Sequence, residues 1–340
     1  MNSFIDYTKE NFEYVGNDNQ LITMTNAVID EGRGKGTKII HISNSCGLEL
    51  VVLPDRCMDF YQLRYKGTNI NWLSSPGIAN PAYYNPNESE WLRSFFGGFM
   101  TTCGLLNIGN PSTYEDGSRM GLHGRIANIP AEGFCAEKKT VGGTLCAVLR
   151  GKMTETDAFG VNFTVTREIV VPFNKSEFYF TDTVQNNGFY KRPFVQLYHF
   201  NMGYPLLSPD SRIILDSEGV EPRNDYAAKF LDSWDKVLPP EDEFEEICCY
   251  HKVAKDENGR AEYGMENPCA HIGLRINYDA DKLPNFMQWR MFRKGSYVMG
   301  LEPTNGRLNG FQETKEKGDL HFLEAGESVQ HSFKIKLYNV

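Results

Sequence analysis

No apolar run in this 340-residue chain approaches the roughly 20 residues that a membrane-spanning helix needs, so no bilayer span is expected. The opening residues, Met1-Asn2-Ser3-Phe4-Ile5-Asp6, have neither the basic nor the apolar region of a secretory signal, and a cytoplasmic protein is the expectation. A basic surplus is missing as well. Lys and Arg number 35 against 44 Asp and Glu, a formal net charge of -9, which argues against nucleic acid as a partner because a phosphate backbone demands clustered cations. The eight cysteines show no CxxC spacing, and the adjacent Cys248 and Cys249 cannot close an ordinary bridge. They are expected to be reduced thiols, mostly in the core. Helical text is scarce, limited to a turn or two over residues 225–231 and another within 80–96.

What is present reads as strands. Tyr and Phe are abundant, at 17 and 22 residues, and such rings suit pleated, half-buried surfaces. Apolar or alternating runs at 38–42, 47–54, 59–65, 70–73, 145–152, 162–171, 177–185, 194–200, 270–278, 285–291, 296–301 and 328–338 are separated by Gly, Asn, Asp and Pro. Residues 169–184 read as a hairpin turning at Asn174-Lys175. Residues 74–96 are too long and too aromatic for a plain connector and are expected to line a groove. The charged runs 238–246 and 252–267 read as solvated excursions. With no compositional boundary and no repeat, residues 1–340 are expected to form a single all-β domain, a large antiparallel β-sandwich.

Three stretches carry groups suited to acid and base chemistry. In Gly121-Leu122-His123-Gly124-Arg125, glycines on both sides of His123 let an imidazole stand clear of the chain. In Tyr198-His199-Phe200-Asn201-Met202-Gly203-Tyr204-Pro205, His199 lies near the end of a strand. In Gly300-Leu301-Glu302-Pro303, Glu302 sits between an apolar residue and a proline, where a carboxylate is either paired or held in a pocket of low polarity. Each group alone reads equally well as a cap or a turn residue; the three together suit an acid–base pair that the fold must assemble.

In the order of these motifs, with Leu53-Pro54-Asp55-Arg56-Cys57-Met58-Asp59 ahead of them, the chain resembles the galactose mutarotase (aldose 1-epimerase) superfamily, and most of all its divergent aldose 1-epimerase-like branch. The resemblance covers nearly the whole chain. It implies a large twisted β-sandwich, a sugar bound in an open groove across one sheet, and opening and closure of the sugar ring without metal or cofactor. Carried over, Glu302 matches the general base, His199 the general acid and His123 the second histidine that holds the sugar. The chain departs from the family at His123-Gly124-Arg125, where mutarotases have His-Gly-Gly, and at His199, two rather than four residues before the Asn of Phe-Asn.

Arg56, Arg93, Arg125, Arg290 and Arg307 fall in or beside these stretches, and guanidinium groups read hydroxyl pairs and oxyanions, so an acidic or modified sugar is one expectation. Ion pairing of these arginines with neighbours such as Asp55 and Asp59 is the other. Asn201 and Trp289 complete the expected sugar contacts, and Trp72, Trp91, Tyr83 and Tyr84 suit either stacking on a sugar or core packing. The partner expected is thus a small sugar, and a homodimer is compatible with the sequence. A non-catalytic carbohydrate-binding protein on the same scaffold is the alternative. A third reading, a metal enzyme using His123, His199 and Glu302, follows from the residue types alone.

Overall fold

A computed structural model describes residues 9–114 and 117–340 of the chain. The opening Met1–Asp6, expected to carry no secretory signal, lies outside the described residues. Among those residues the chain forms a twelve-stranded antiparallel sheet and an eight-stranded one. The centre of the larger sheet runs, in spatial order, through the strands Asp59–Tyr65, Met100–Leu105, Arg192–Met202, Ser296–Thr304, Asn285–Arg293 and Ile247–Val253. The smaller sheet is centred on Ile272–Asp279, Ser328–Tyr338, Glu177–Asn186 and Asn162–Pro172. This is the all-β sandwich that the alternating runs predict. No helix among the described residues is long and apolar enough to cross a membrane.

The two sheets share one apolar core. Its members alternate along each strand: Phe194, Tyr198 and Phe200 join the core between the sheets, whereas Val195 and Leu197 point the other way into a second cluster with Trp91, Phe95, Ile108 and Met287. The strand Arg192–Met202 is therefore buried on both faces, one covered by the smaller sheet and one by the loops of residues 72–96 and 106–128. A polar cluster crosses the inter-sheet core. The fully buried Arg167 pairs with Asp59 at 2.9 Å and Asp182 at 2.6 Å, and the Tyr198 hydroxyl donates to Asp182 at 2.9 Å.

Two charged stretches differ from expectation. Residues 252–267 are not one solvated loop, because Arg260–Asn267 is a strand of the smaller sheet and buries Ala261, Tyr263 and Met265. The run 238–246 skirts the larger sheet, with Phe244 against Phe292 and Glu246 facing a cavity. All eight cysteines are free thiols; Cys57, Cys103, Cys146, Cys248 and Cys249 are buried, Cys135 and Cys269 exposed.

Candidate active site

Antiparallel register brings the two ends of the chain's chemistry together. Phe200 lies opposite Leu301 and Leu197 opposite Thr304, which sets His199 beside Glu302, while Trp289 lies opposite Gly300 and Cys248 opposite Trp289. Side chains at matched positions share a face, so His199, Glu302, Trp289 and Cys248 all project from the outer side of the larger sheet. Residues 72–96 and 106–128 fold over that side and enclose a cavity of about 330 Å³, whose aromatic wall includes Trp72, Trp91, Phe95 and Trp289. Three of the chain's four tryptophans stand there. The expectation that residues 74–96 line a groove is met by Trp91, Leu92 and Phe95.

The third stretch enters from a loop. Gly121 to Arg125 is pinned to the strand Met100–Leu105 by Gly104 N–H donating to His123 O at 3.0 Å and Arg125 N–H donating to Gly104 O at 3.1 Å. Tyr84 adds a bond from its hydroxyl to Gly124 O. A Cβ on Gly124 would stand 2.1 Å from Gly104 O, so only glycine permits this approach. His123 itself is left-handed, with φ of 57°, a backbone state uncommon for a side chain of that size. The turn lays its ring 4.7 Å from that of Trp91 and 5.6 Å from that of His199. Its Nδ1 accepts from Gly109 N–H at 3.3 Å, which leaves Nε2 as the proton-bearing nitrogen of the neutral ring.

His199 Nδ1 and Glu302 Oε1 lie 3.3 Å apart at the cavity floor, with side-chain exposures of 6% and 1%. Neither atom has another polar partner among the described residues. The rings of Phe95 and Trp289 flank His199 at 5.2 and 5.4 Å. Burial in this aromatic surround lowers the His199 pKa to about 4, with Asn201 opposing, and pushes the Glu302 carboxyl well above its usual range, with Glu246 adding to the rise and Arg223 opposing it. Both shifts favour the uncharged forms, in which Glu302 keeps its proton and His199 gains none. A carboxylic acid beside a neutral imidazole carries the same proton count as a carboxylate beside an imidazolium, so the two can exchange roles without help from solvent. Burial likewise holds the His123 pKa well below its ordinary value, with His199 and Arg223 contributing.

The remaining sequence-derived residues stand elsewhere. Arg56 is buried and gives Nε, Nη1 and Nη2 to the carbonyls of Ala127, Ala79 and Ser94 at 2.8–2.9 Å. Arg290 is buried likewise and donates to Ser233 O at 2.8 Å. These two guanidiniums organise loops and are not directed at the cavity. Arg93 is exposed and pairs with Glu90. Arg125 lines a neighbouring hollow with Glu88 and Arg119, and Arg307 pairs with Glu221 and Asp319. The Asn201 amide donates to the carbonyls of Gly97, Gly98 and His199, which makes it a brace behind His199 rather than part of the lining. The structure thus gathers His123, His199, Glu302 and Trp289, and disperses the arginines that suggested an acidic sugar. Among the described residues, no group of three or more His, Cys, Asp or Glu side chains is arranged to hold a metal ion.

Sequence reasoning passed over Arg223, Glu246 and Asn110. Arg223 follows the strand Ser217–Pro222 and donates Nε to Asn309 Oδ1 at 2.9 Å, Nη2 to Asn110 Oδ1 at 2.8 Å and Nη1 to Glu246 Oε1 at 3.2 Å. The other Glu246 oxygen accepts from Trp289 Nε1 at 3.0 Å. Glu246 lay inside a charge run that reads as solvent-facing, and no local signal marks it apart from its neighbours Glu243 and Glu245.

The large antiparallel β-sandwich is the fold of galactose mutarotase-like proteins. The chain belongs to the family described as domain of unknown function DUF4432, whose profile matches residues 34–337. Among solved structures it is similar to a candidate aldose 1-epimerase from Klebsiella pneumoniae, with 25% identity, a TM-score of 0.88 and coverage of 95% of this chain and 86% of that one. It shares its fold with a galactose mutarotase-like protein from Clostridium acetobutylicum, at 13% identity and a TM-score of 0.64 over 94% of this chain and all of that one. A galactose 1-epimerase from Lactobacillus acidophilus shares it too, at 11% identity and a TM-score of 0.60 over 94% and 99% of the two chains. No curated protein matches the sequence.

Proposed function

We propose that this chain interconverts the anomers of a reducing sugar, with His199 and Glu302 exchanging protons with the two oxygens of the anomeric carbon. The observation that carries the reading is their 3.3 Å separation at the floor of a cavity walled by indole rings. The ring oxygen and the anomeric hydroxyl are bonded to one carbon, so an acid and a base that serve both must stand side by side. In the reacting form, Glu302 as carboxylate takes the proton of the anomeric hydroxyl while imidazolium at His199 gives one to the ring oxygen. The bond between the anomeric carbon and the ring oxygen breaks as the carbonyl forms. Rotation of the aldehyde and the reverse transfers then close the other anomer. The steps conserve atoms and electrons, so the chemistry calls for no redox partner. His123, with Nε2–H as donor, holds a sugar hydroxyl, and the tryptophans offer faces for the sugar's C–H groups.

Two-dimensional exchange NMR across neutral and acidic hexoses and pentoses tests the reading. Acceleration of at least one sugar by the wild type and its loss in Glu302→Gln are expected. Sugars that perturb the protein's spectrum without any acceleration would favour a binding protein instead.

A further inference from the structure

Arg223 is the one Lys or Arg side chain on the described lining of the cavity. Each nitrogen of its fork has a partner, in the amide oxygens of Asn110 and Asn309 and the carboxylate of Glu246, and its Nη1 also lies 3.8 Å from Cys248 Sγ. The carboxylate is the more accessible partner, at 48% side-chain exposure against 13% for Arg223, and Trp289 Nε1–H fixes its second oxygen. A solute entering the cavity therefore meets a fixed negative charge, with the guanidinium behind it.

From this geometry we infer that Glu246 makes the site selective for neutral sugars, by occupying the one Lys or Arg on the described lining of the cavity and by repelling an anionic sugar's charge. The inference rests on the proposed reaction at the same cavity and names its substrate class. A neutral sugar gains an acceptor for its hydroxyls at Glu246, whereas a uronate or sugar phosphate must evict a carboxylate already bonded to Arg223 and Trp289. The field of Glu246 also reaches the reacting groups, since it helps keep the proton on Glu302. Arg56, Arg290, Arg93 and Arg307 are engaged by backbone carbonyls or by Glu90, Glu221 and Asp319, and Arg125 lines the neighbouring hollow rather than this cavity.

The test compares glucose and galactose with glucuronate, galacturonate and glucose 6-phosphate, using wild-type chain and Glu246→Gln. Anomer exchange rates and NMR binding titrations are both read, and thermal unfolding verifies that the variant is folded. The wild type is expected to favour neutral over anionic sugars by at least about tenfold, and Glu246→Gln to shrink that ratio by about tenfold. Should the variant not fold, the wild-type ratio is measured from low salt to about 1 M salt, where screening of a repulsive carboxylate must narrow it. Equal or better use of an anionic sugar by the wild type overturns the inference, as does a ratio unmoved by both the substitution and salt. If no sugar is accelerated, the proposed reaction fails, and the binding ratio decides the role of Glu246 separately. Absence of both turnover and binding overturns both.

Discussion

Gly300 and Glu302 stand two residues apart on one face of the strand Ser296–Thr304, and a Cβ at position 300 would lie 2.1 Å from Glu302 Oε1. The carboxyl group folds back over the glycine, and the missing side chain is what lets it reach His199. Trp289 closes the third side, with its Cβ 3.2 Å from the same point.

Gly300→Ala is accordingly expected to displace the carboxylate while leaving the sheet intact. The clashing atom is the end of a side chain rather than backbone, so the cost in stability should stay near 1–2 kcal/mol. Turnover should fall by about a hundredfold because the acid–base geometry is lost. Steady-state kinetics beside thermal unfolding separates the two effects; full activity in the alanine variant would show that the fold-back is immaterial.

Glu155 gives a prediction about pH. It is buried, accepts only a 3.4 Å bond from Leu105 N–H, and burial raises its pKa to about 7. Between about 4.5 and 7 the folded chain therefore binds more proton at this site than the unfolded chain, and stability is lost as pH rises through that window. Glu155→Gln should gain on wild type by about 3 kcal/mol across the window, with no further gain above it. Denaturant melts at pH 4.5, 6, 7 and 8 measure this. A constant difference at all four values would mean that Glu155 ionises normally.

The pair itself should leave a different trace. His199, with its pKa near 4, stays neutral until acid pH, so activity should hold across neutral pH and fall as the pair takes its second proton near pH 4. A limb near pH 6.5 would point to an unperturbed histidine instead.

Arg56 tests the difference between an arginine that binds sugar and one that binds loops. Arg56→Met removes the donors to three carbonyls from loops that share no sequence proximity, and about 3 kcal/mol or more of stability should go with them. At a temperature where the variant is folded, its KM for sugar should stay within about twofold of wild type, since the guanidinium is not part of the cavity lining. A large KM effect without destabilisation would reverse the assignment.

Most strands were legible because their alternation and turn residues are local properties. The hairpin through Asn174 and Lys175 follows from a few consecutive residues, and the structure has it with Val170 opposite Tyr179. Strand Arg260–Asn267 was hidden by its own exposed face, where Arg260 and Glu262 make the segment read as a loop although Ala261, Tyr263 and Met265 alternate with them. His123, His199 and Glu302 were legible as residue types at strand ends and in a glycine turn; their convergence depends on register between strands about a hundred residues apart. The arginines could not be sorted from sequence. Whether a guanidinium meets a ligand or an orphaned carbonyl is decided by loops 23 to 71 residues away, as at Arg56. Glu246 was obscured for the opposite reason, being one acid in an acidic run of which it alone reaches the cavity lining.

The measurement that bears most directly on the His199–Glu302 pair is a double-mutant cycle on anomer exchange, with Glu302→Gln, His199→Gln and both together. Two groups that share one proton act as a unit, so each single substitution should cost about a thousandfold or more in kcat/KM and the double little beyond that. Near wild-type exchange in Glu302→Gln, or losses that multiply in the double variant, would contradict the account.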